Sequence, residues 1–87
     1  MTDNTGTLTL ERMRADVARM IDEAPEAVAD GDNLMDLGLD SMRLLGLVMA
    51  WSETGIALEF ADLAEYATLQ DWWQVVQRLQ ARAAAGR

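Results

Sequence analysis

The spacing of apolar residues constrains this chain more than any other feature. Leu10, Met13, Val17 and Met20 recur every three to four positions, as do Leu44, Leu47, Val48 and Trp51, and later Leu69, Trp72, Val76 and Leu79. That interval places each set on one face of a helix. Long alternating runs of Val, Ile and Thr, the mark of half-buried strands, are missing, and Pro occurs once. With 87 residues, 51% of them apolar, the chain has material for one compact core and no second domain. The expected fold class is all-α.

Local signals divide the chain further. A first helix is predicted from about Thr9 into Ile21, with Thr9 as N-cap and Glu11 in the first turn, where the helix dipole favours a carboxylate. Asp22 to Asn33, which holds Pro25 and Gly31, reads as a loop with room for a short turn. Leu34, Leu37 and Leu39 are apolar residues able to hold that loop against the bundle, and Gly38 suits a tight bend. Asp40 is placed to cap a second helix by accepting from the Met42 or Arg43 backbone N–H. That helix is predicted from Ser41 to Trp51 or Glu53, with Gly55 as its stop. A short third helix is expected from Glu59 to Tyr66, and Thr68-Leu69-Gln70-Asp71 has the layout of a capping box that opens a fourth. Residues 1–8 read as a flexible N-terminal tail, 9–82 as the domain, and 83–87 as a frayed C-terminal tail.

Composition narrows the function classes. Fifteen Asp and Glu against seven Arg give a net charge of -8, which repels nucleic acid and anionic lipid and either keeps the domain soluble or favours basic patches on partners. No apolar stretch approaches the roughly 20 residues needed to span a bilayer. The start Met1-Thr2-Asp3-Asn4-Thr5-Gly6 lacks the basic-then-apolar layout of a signal peptide, and there is no cysteine for a disulfide framework. A cytoplasmic monomer without membrane or nucleic-acid partners is the expectation. Asp30-Gly31-Asp32-Asn33 resembles the start of a calcium loop, but Leu34 takes the next ligand position, Met35 replaces the required Gly, and Ser41 replaces the closing Glu. No metal is expected.

Gly38-Leu39-Asp40-Ser41 is the segment that carries chemistry. It puts a hydroxyl at the start of a helix in a chain with no His and no Cys, so no Ser–His pair or thiolate can form within it. A serine presented this way, without a base, reads as a residue that another enzyme modifies. The helix N-terminus, with its unpaired N–H groups and partial positive charge, tolerates an attached phosphodiester. Asp-Ser at a helix start also serves for capping alone. At about 100° per residue the second helix carries two apolar stripes: Leu44, Leu47, Val48 and Trp51 toward the core, and Met42, Leu45 and Met49 nearly opposite. The second stripe is either a buried face of a central helix or an adaptable surface for partners, which methionine suits. Trp51 and Trp72 are expected in the core, and Trp73 lies about 100° from Trp72.

Asn33-Leu34-Met35-Asp36-Leu37-Gly38-Leu39-Asp40-Ser41-Met42-Arg43 is similar to the phosphopantetheine attachment motif of the acyl and peptidyl carrier protein superfamily. With Trp51, Gly55, Phe60, Leu63-Ala64, Thr68-Leu69 and Trp72-Trp73, the chain resembles the aryl carrier proteins of nonribosomal peptide synthesis, which load salicylate or dihydroxybenzoate in siderophore assembly. Ala67 stands where such proteins often have Pro. The resemblance implies a four-helix bundle of three longer helices and a short third. It implies a 4'-phosphopantetheine arm at Ser41, installed from coenzyme A by a phosphopantetheinyl transferase, with Asp40 completing the modification site. An aryl-acid adenylating ligase would load the arm's thiol, and a condensation domain of a nonribosomal peptide synthetase would take the thioester. Met42, Arg43, Leu45 and Met49, with Phe60 and Ala64 of the third helix, would form the docking surface. On its residues alone Arg43 is a solvated partner for a nearby Asp.

On this reading the chain is a free-standing, non-catalytic carrier. The alternatives are a carrier of acyl or aminoacyl groups in polyketide or other secondary metabolism, and a small acidic helical adaptor. A lone Ser without base or metal ligands leaves no route to catalysis.

Overall fold

A computed structural model describes residues 8–85. The described residues form four α-helices and no strand: α1 (Leu10–Met20), α2 (Ser41–Ser52), α3 (Phe60–Ala64) and α4 (Leu69–Ala85), with a 3₁₀ turn at Pro25–Ala27 between α1 and α2. The all-α, four-helix expectation is met, with three longer helices and a short one third in order. α1 begins as its sequence dictates, because Thr9 Oγ1 accepts from the Arg12 N–H at 3.1 Å.

The core is built around two indoles. Trp51 of α2 and Trp72 of α4 are fully buried and meet edge to face, ring centroids 6.3 Å apart and planes at 70°. Each buried N–H has a partner, as burial requires. Trp51 Nε1 donates to Asp16 Oδ2 of α1 at 2.9 Å, and Trp72 Nε1 donates to the carbonyls of Leu63 and Tyr66 at 3.0 and 3.1 Å. Asp16 is 8% exposed and also accepts from Arg19 at 2.8 Å, with Arg12 Nε at 3.4 Å. Met13, Val17, Leu47, Leu63, Leu69 and Val76 pack around the pair. Trp73 is half-buried against the edge of this core.

Three boundaries differ from the sequence reading. Leu8, assigned to the N-terminal tail, is buried, and the Gln80 side chain brackets its backbone, accepting from its N–H at 2.7 Å and donating to its carbonyl at 3.2 Å. Ala83 to Ala85, assigned to a frayed tail, continue α4, as alanine's high helix propensity favours. The rest of the two tail assignments, residues 1–7 and 86–87, lies outside the described residues. α3 is shorter than Glu59 to Tyr66 at both ends. Glu59 is its N-cap, with its N–H donating to Asp62 Oδ2 at 3.0 Å. At the other end the Leu63 and Tyr66 carbonyls are drawn to the Trp72 indole instead of extending the helix.

The loop between α1 and α2 is tied down by both its neighbours. Arg14 donates to the Val28 carbonyl at 2.7 Å and pairs with Asp30. The Leu34 N–H donates to the Ala67 carbonyl at 2.8 Å, and the Gln70 N–H to the Asp30 carbonyl at 3.0 Å. Leu34 and Leu39 are buried as expected, but Leu37 is 38% exposed and anchors nothing. The turn from Leu34 to Leu39 closes on itself, with Leu37 and Leu39 N–H groups both donating to the Leu34 carbonyl, and that leaves Leu37 at its outer edge.

Removing the Asp16 carboxylate orphans a buried indole N–H. Asp16→Ala should therefore lower stability to urea by about 1–3 kcal/mol. Asp16→Asn, which keeps an acceptor for Trp51, should lose less. Equal losses would assign the cost to the arginine pairs rather than to the indole.

Candidate functional site

Ser41 is the first residue of α2, and the loop before it explains how it is presented. Asn33 Oδ1 accepts from the Met35 and Asp36 N–H groups at 2.9 and 3.2 Å, which starts the turn. Gly38 adopts φ +112°, a conformation that L side chains rarely take, and lets the chain reverse before the helix. Leu39 then plunges into the core. Asp40 is extended at φ -112° and ψ 179°, and its Oδ1 accepts from the Arg43 N–H at 2.9 Å. The chain is thus held at Leu39 and again at Leu44, both 2% exposed, and the residues between them face solvent. The Ser41 hydroxyl stands on that exposed step.

Charge at the step is balanced locally. The Arg43 guanidinium lies 3.0 Å from Asp40 Oδ2, so the capping carboxylate has its own counter-ion. An anionic substituent on Ser41 would sit at the positive end of α2 beside an Asp whose charge is already offset. The residues present therefore fit a phosphodiester at this position. Asp30, Asp32 and Asn33, weighed above as a calcium loop, are occupied otherwise: Asp30 pairs with Arg14, Asp32 accepts from the Ala29 N–H, and Asn33 forms the turn.

The remaining predicted residues fall into two groups around Ser41. Met42, Leu45 and Met49 are 82%, 47% and 63% exposed, so the second stripe of α2 is a solvent-facing apolar surface and not a second buried face. Arg43 lies on the same exposed side of the helix start. Phe60 and Ala64 sit across from Ser41 on α3, exposed on the far wall of a cleft of about 380 Å³. Met35, Ser41 and Leu44 form the near side, and Phe60, Ala64, Glu65, Tyr66 and Ala67 the far side. Ser41, Phe60 and Ala64 are thus brought together, whereas Met42, Leu45 and Met49 form a separate stripe outside the cleft. Sequence reasoning missed Met35, Glu65, Tyr66 and Ala67 as walls. Glu65, Tyr66 and Ala67 adjoin the end of a short helix and Met35 lies in the loop before α2, and the Leu34–Ala67 hydrogen bond draws these two distant segments together.

Comparison with known proteins agrees with this geometry. Residues 11–76 match the phosphopantetheine attachment site family, and the chain belongs to it. This family carries the 4'-phosphopantetheine prosthetic group. The acyl carrier protein ScoB of Streptomyces coeruleorubidus is 38% identical over 76 residues, covering 87% of this chain and 89% of ScoB. Phenyloxazoline synthase MbtB of Mycobacterium tuberculosis is 41% identical over 70 residues, covering 80% of this chain, which spans only 5% of MbtB's length. The NMR structure of the HMG-ACPI domain from the CurA module of Lyngbya majuscula has the same fold, with a TM-score of 0.69 at 22% identity over 94% of this chain and 89% of that one.

The two roles of the Asp40 carboxylate can be separated. Asp40→Ala should cost about 1 kcal/mol in chemical denaturation through loss of the cap. Asp40→Asn keeps a capping oxygen and loses only the exposed Arg43 pair, so it should cost no more than about 0.5 kcal/mol.

Proposed function

We propose that Ser41 is the attachment point of 4'-phosphopantetheine and that the chain is an aryl carrier, taking an aryl acid from an adenylating ligase and presenting it to a condensation domain of a nonribosomal peptide synthetase. The observation that carries the reading is the placement of the Ser41 hydroxyl. It is exposed at the first position of α2, with the charge beside it offset, and it opens onto an apolar cleft edged by two aromatic rings, Phe60 and Tyr66. When bound, the group supplies a terminal thiol that holds an acyl group as a thioester.

The chain's own residues orient and present. Gly38, Leu39 and Asp40 set the position of Ser41 so that a phosphopantetheinyl transferase reaches its oxygen. Met42, Leu45 and Met49 give partners an apolar surface with adaptable side chains next to the attachment point. Arg43 beside that stripe, and Phe60 and Ala64 on the separate wall of the cleft, distinguish one partner from another. The likeness to MbtB, a phenyloxazoline synthase, supports an aromatic cargo. ScoB, an acyl carrier protein matched over nearly its whole length, supports the alternative of an acyl carrier.

Coexpression with a promiscuous phosphopantetheinyl transferase should add one phosphopantetheine to the intact mass, and Ser41→Ala should abolish that gain. No gain with several transferases would refute the carrier reading for this serine. The modified chain, offered aryl, aliphatic and amino acids with candidate ligases, should load the aryl acids preferentially. Preference for either of the others would move the assignment to the acyl or aminoacyl alternative.

A further inference from the structure

Sulfur in this chain is confined to methionine, because there is no cysteine. Among the described residues the thioethers divide sharply by position. Met13 of α1 is fully buried. Met20 is half-buried, its terminal methyl laid so close to α2 that a Cβ added at Gly46 would lie 3.3 Å from it. Met35, Met42 and Met49 are 39%, 82% and 63% exposed, and all three belong to the loop and helix that present Ser41. Met42 follows the serine directly, and Met49 lies nearly two turns on along the same face, about 10 Å away along the axis. The core side of α2 carries no sulfur, since Leu44, Leu47, Val48 and Trp51 fill it. Leu45 shares the exposed stripe, so apolar contact alone does not require a thioether there.

The sulfur that an oxidant reaches is thus separate from the sulfur that the fold needs. Building on the assignment of Ser41 as the attachment point and of the α2 stripe as the surface that partners read, we propose that Met42 and Met49 form a reversible oxidation site through which a peroxide switches off recognition of the carrier without unfolding it. In the forward step the peroxide gives one oxygen to the thioether. Its O–O bond breaks, an S–O bond forms, sulfur is oxidised by two electrons, and water leaves. In the reverse step a reductase passes two electrons from a dithiol, the sulfoxide oxygen leaves as water, and the dithiol becomes a disulfide. Oxidation turns a flexible apolar side chain into a polar one. Its new oxygen only accepts hydrogen bonds, and against an apolar partner surface it would lose water without gaining a donor. In the free chain that oxygen stays hydrated, so the penalty falls on docking and not on folding. Two sulfoxides on one face should lower the efficiency of arm transfer roughly fivefold to fiftyfold. Met13, out of reach, leaves the bundle intact.

The test uses the full chain before its arm is added, which holds no thiol to compete for hydrogen peroxide. Fragment mass mapping should place oxygen on Met42 and Met49 first, on Met35 more slowly, and not on Met13. The urea midpoint of the treated chain should stay at that of the untreated chain. Arm transfer to Ser41 by a phosphopantetheinyl transferase, followed by intact mass, should fall roughly fivefold to fiftyfold in kcat/KM. Methionine sulfoxide reductases with a dithiol should restore it. The double variant Met42→Leu and Met49→Leu, compared with its own untreated sample, should lose nothing on treatment. Oxygen on Met13 or Met20 ahead of Met42 would overturn the site, and a lowered urea midpoint would assign the loss to unfolding. An unchanged transfer rate in the oxidised wild type would overturn the switch, while the arm added at Ser41 left the carrier assignment standing. So would an equal loss in the double variant, which would place the effect elsewhere. Absence of any arm on the untreated chain would remove both.

Discussion

The bundle depends on the contact between Trp51 and Trp72. Two indoles buried together contribute a large apolar area, but each also brings a polar N–H that must be satisfied away from water. The two solutions fix the remaining elements. Trp51 reaches back to Asp16, which sets the height and rotation of α1 against α2. Trp72 reaches the Leu63 and Tyr66 carbonyls, which ends α3 and sets where the chain turns into α4. Four helices are therefore registered by one aromatic contact and three hydrogen bonds that could not be formed in any slipped arrangement.

The functional step is an outcome of that registration. α2 is fixed by Trp51 near its C-terminal end and by Leu44 near its start, and Ser41 stands on the exposed turn between the buried Leu39 and Leu44. The loop leading to it is held from the opposite side by Leu34 on Ala67 and Gln70 on Asp30. A serine in a chain without His or Cys is thus held in place without being activated. That combination suits a residue whose reactivity is supplied by a modifying enzyme, and whose job is then to hold a fixed origin for a flexible substituent.

Much of this was legible in the sequence because the signals are local. Thr9 and Asp40 cap their helices through bonds to residues three positions on, and Gly38 takes the positive φ its neighbours need. The two stripes of α2 follow from helical geometry, so exposure of Met42, Leu45 and Met49 was readable as one of two outcomes. What escaped the sequence spans long separations. The bracket of Gln80 around Leu8 joins residues 72 apart, and the Trp51 bond to Asp16 joins residues 35 apart. No periodicity encodes such pairs. Nothing local marks Asp16 as a buried acid, and Leu8 stands between threonines. The cleft walls escaped for the same reason: Met35 and Tyr66 become neighbours only after two loops are joined.

The helix that forms the far wall of the cleft is five residues long and buries only Leu63. α2 across from it is twelve residues long and buries four side chains. Local opening in proteins begins where few apolar groups are buried and the backbone is most exposed to water. The two sides of the cleft therefore differ in stiffness: Ser41 is mounted on a post, and Phe60 and Tyr66 on a shutter hinged at the bonds to Trp72. Such a shutter can open and close without displacing the Ser41 oxygen on its post.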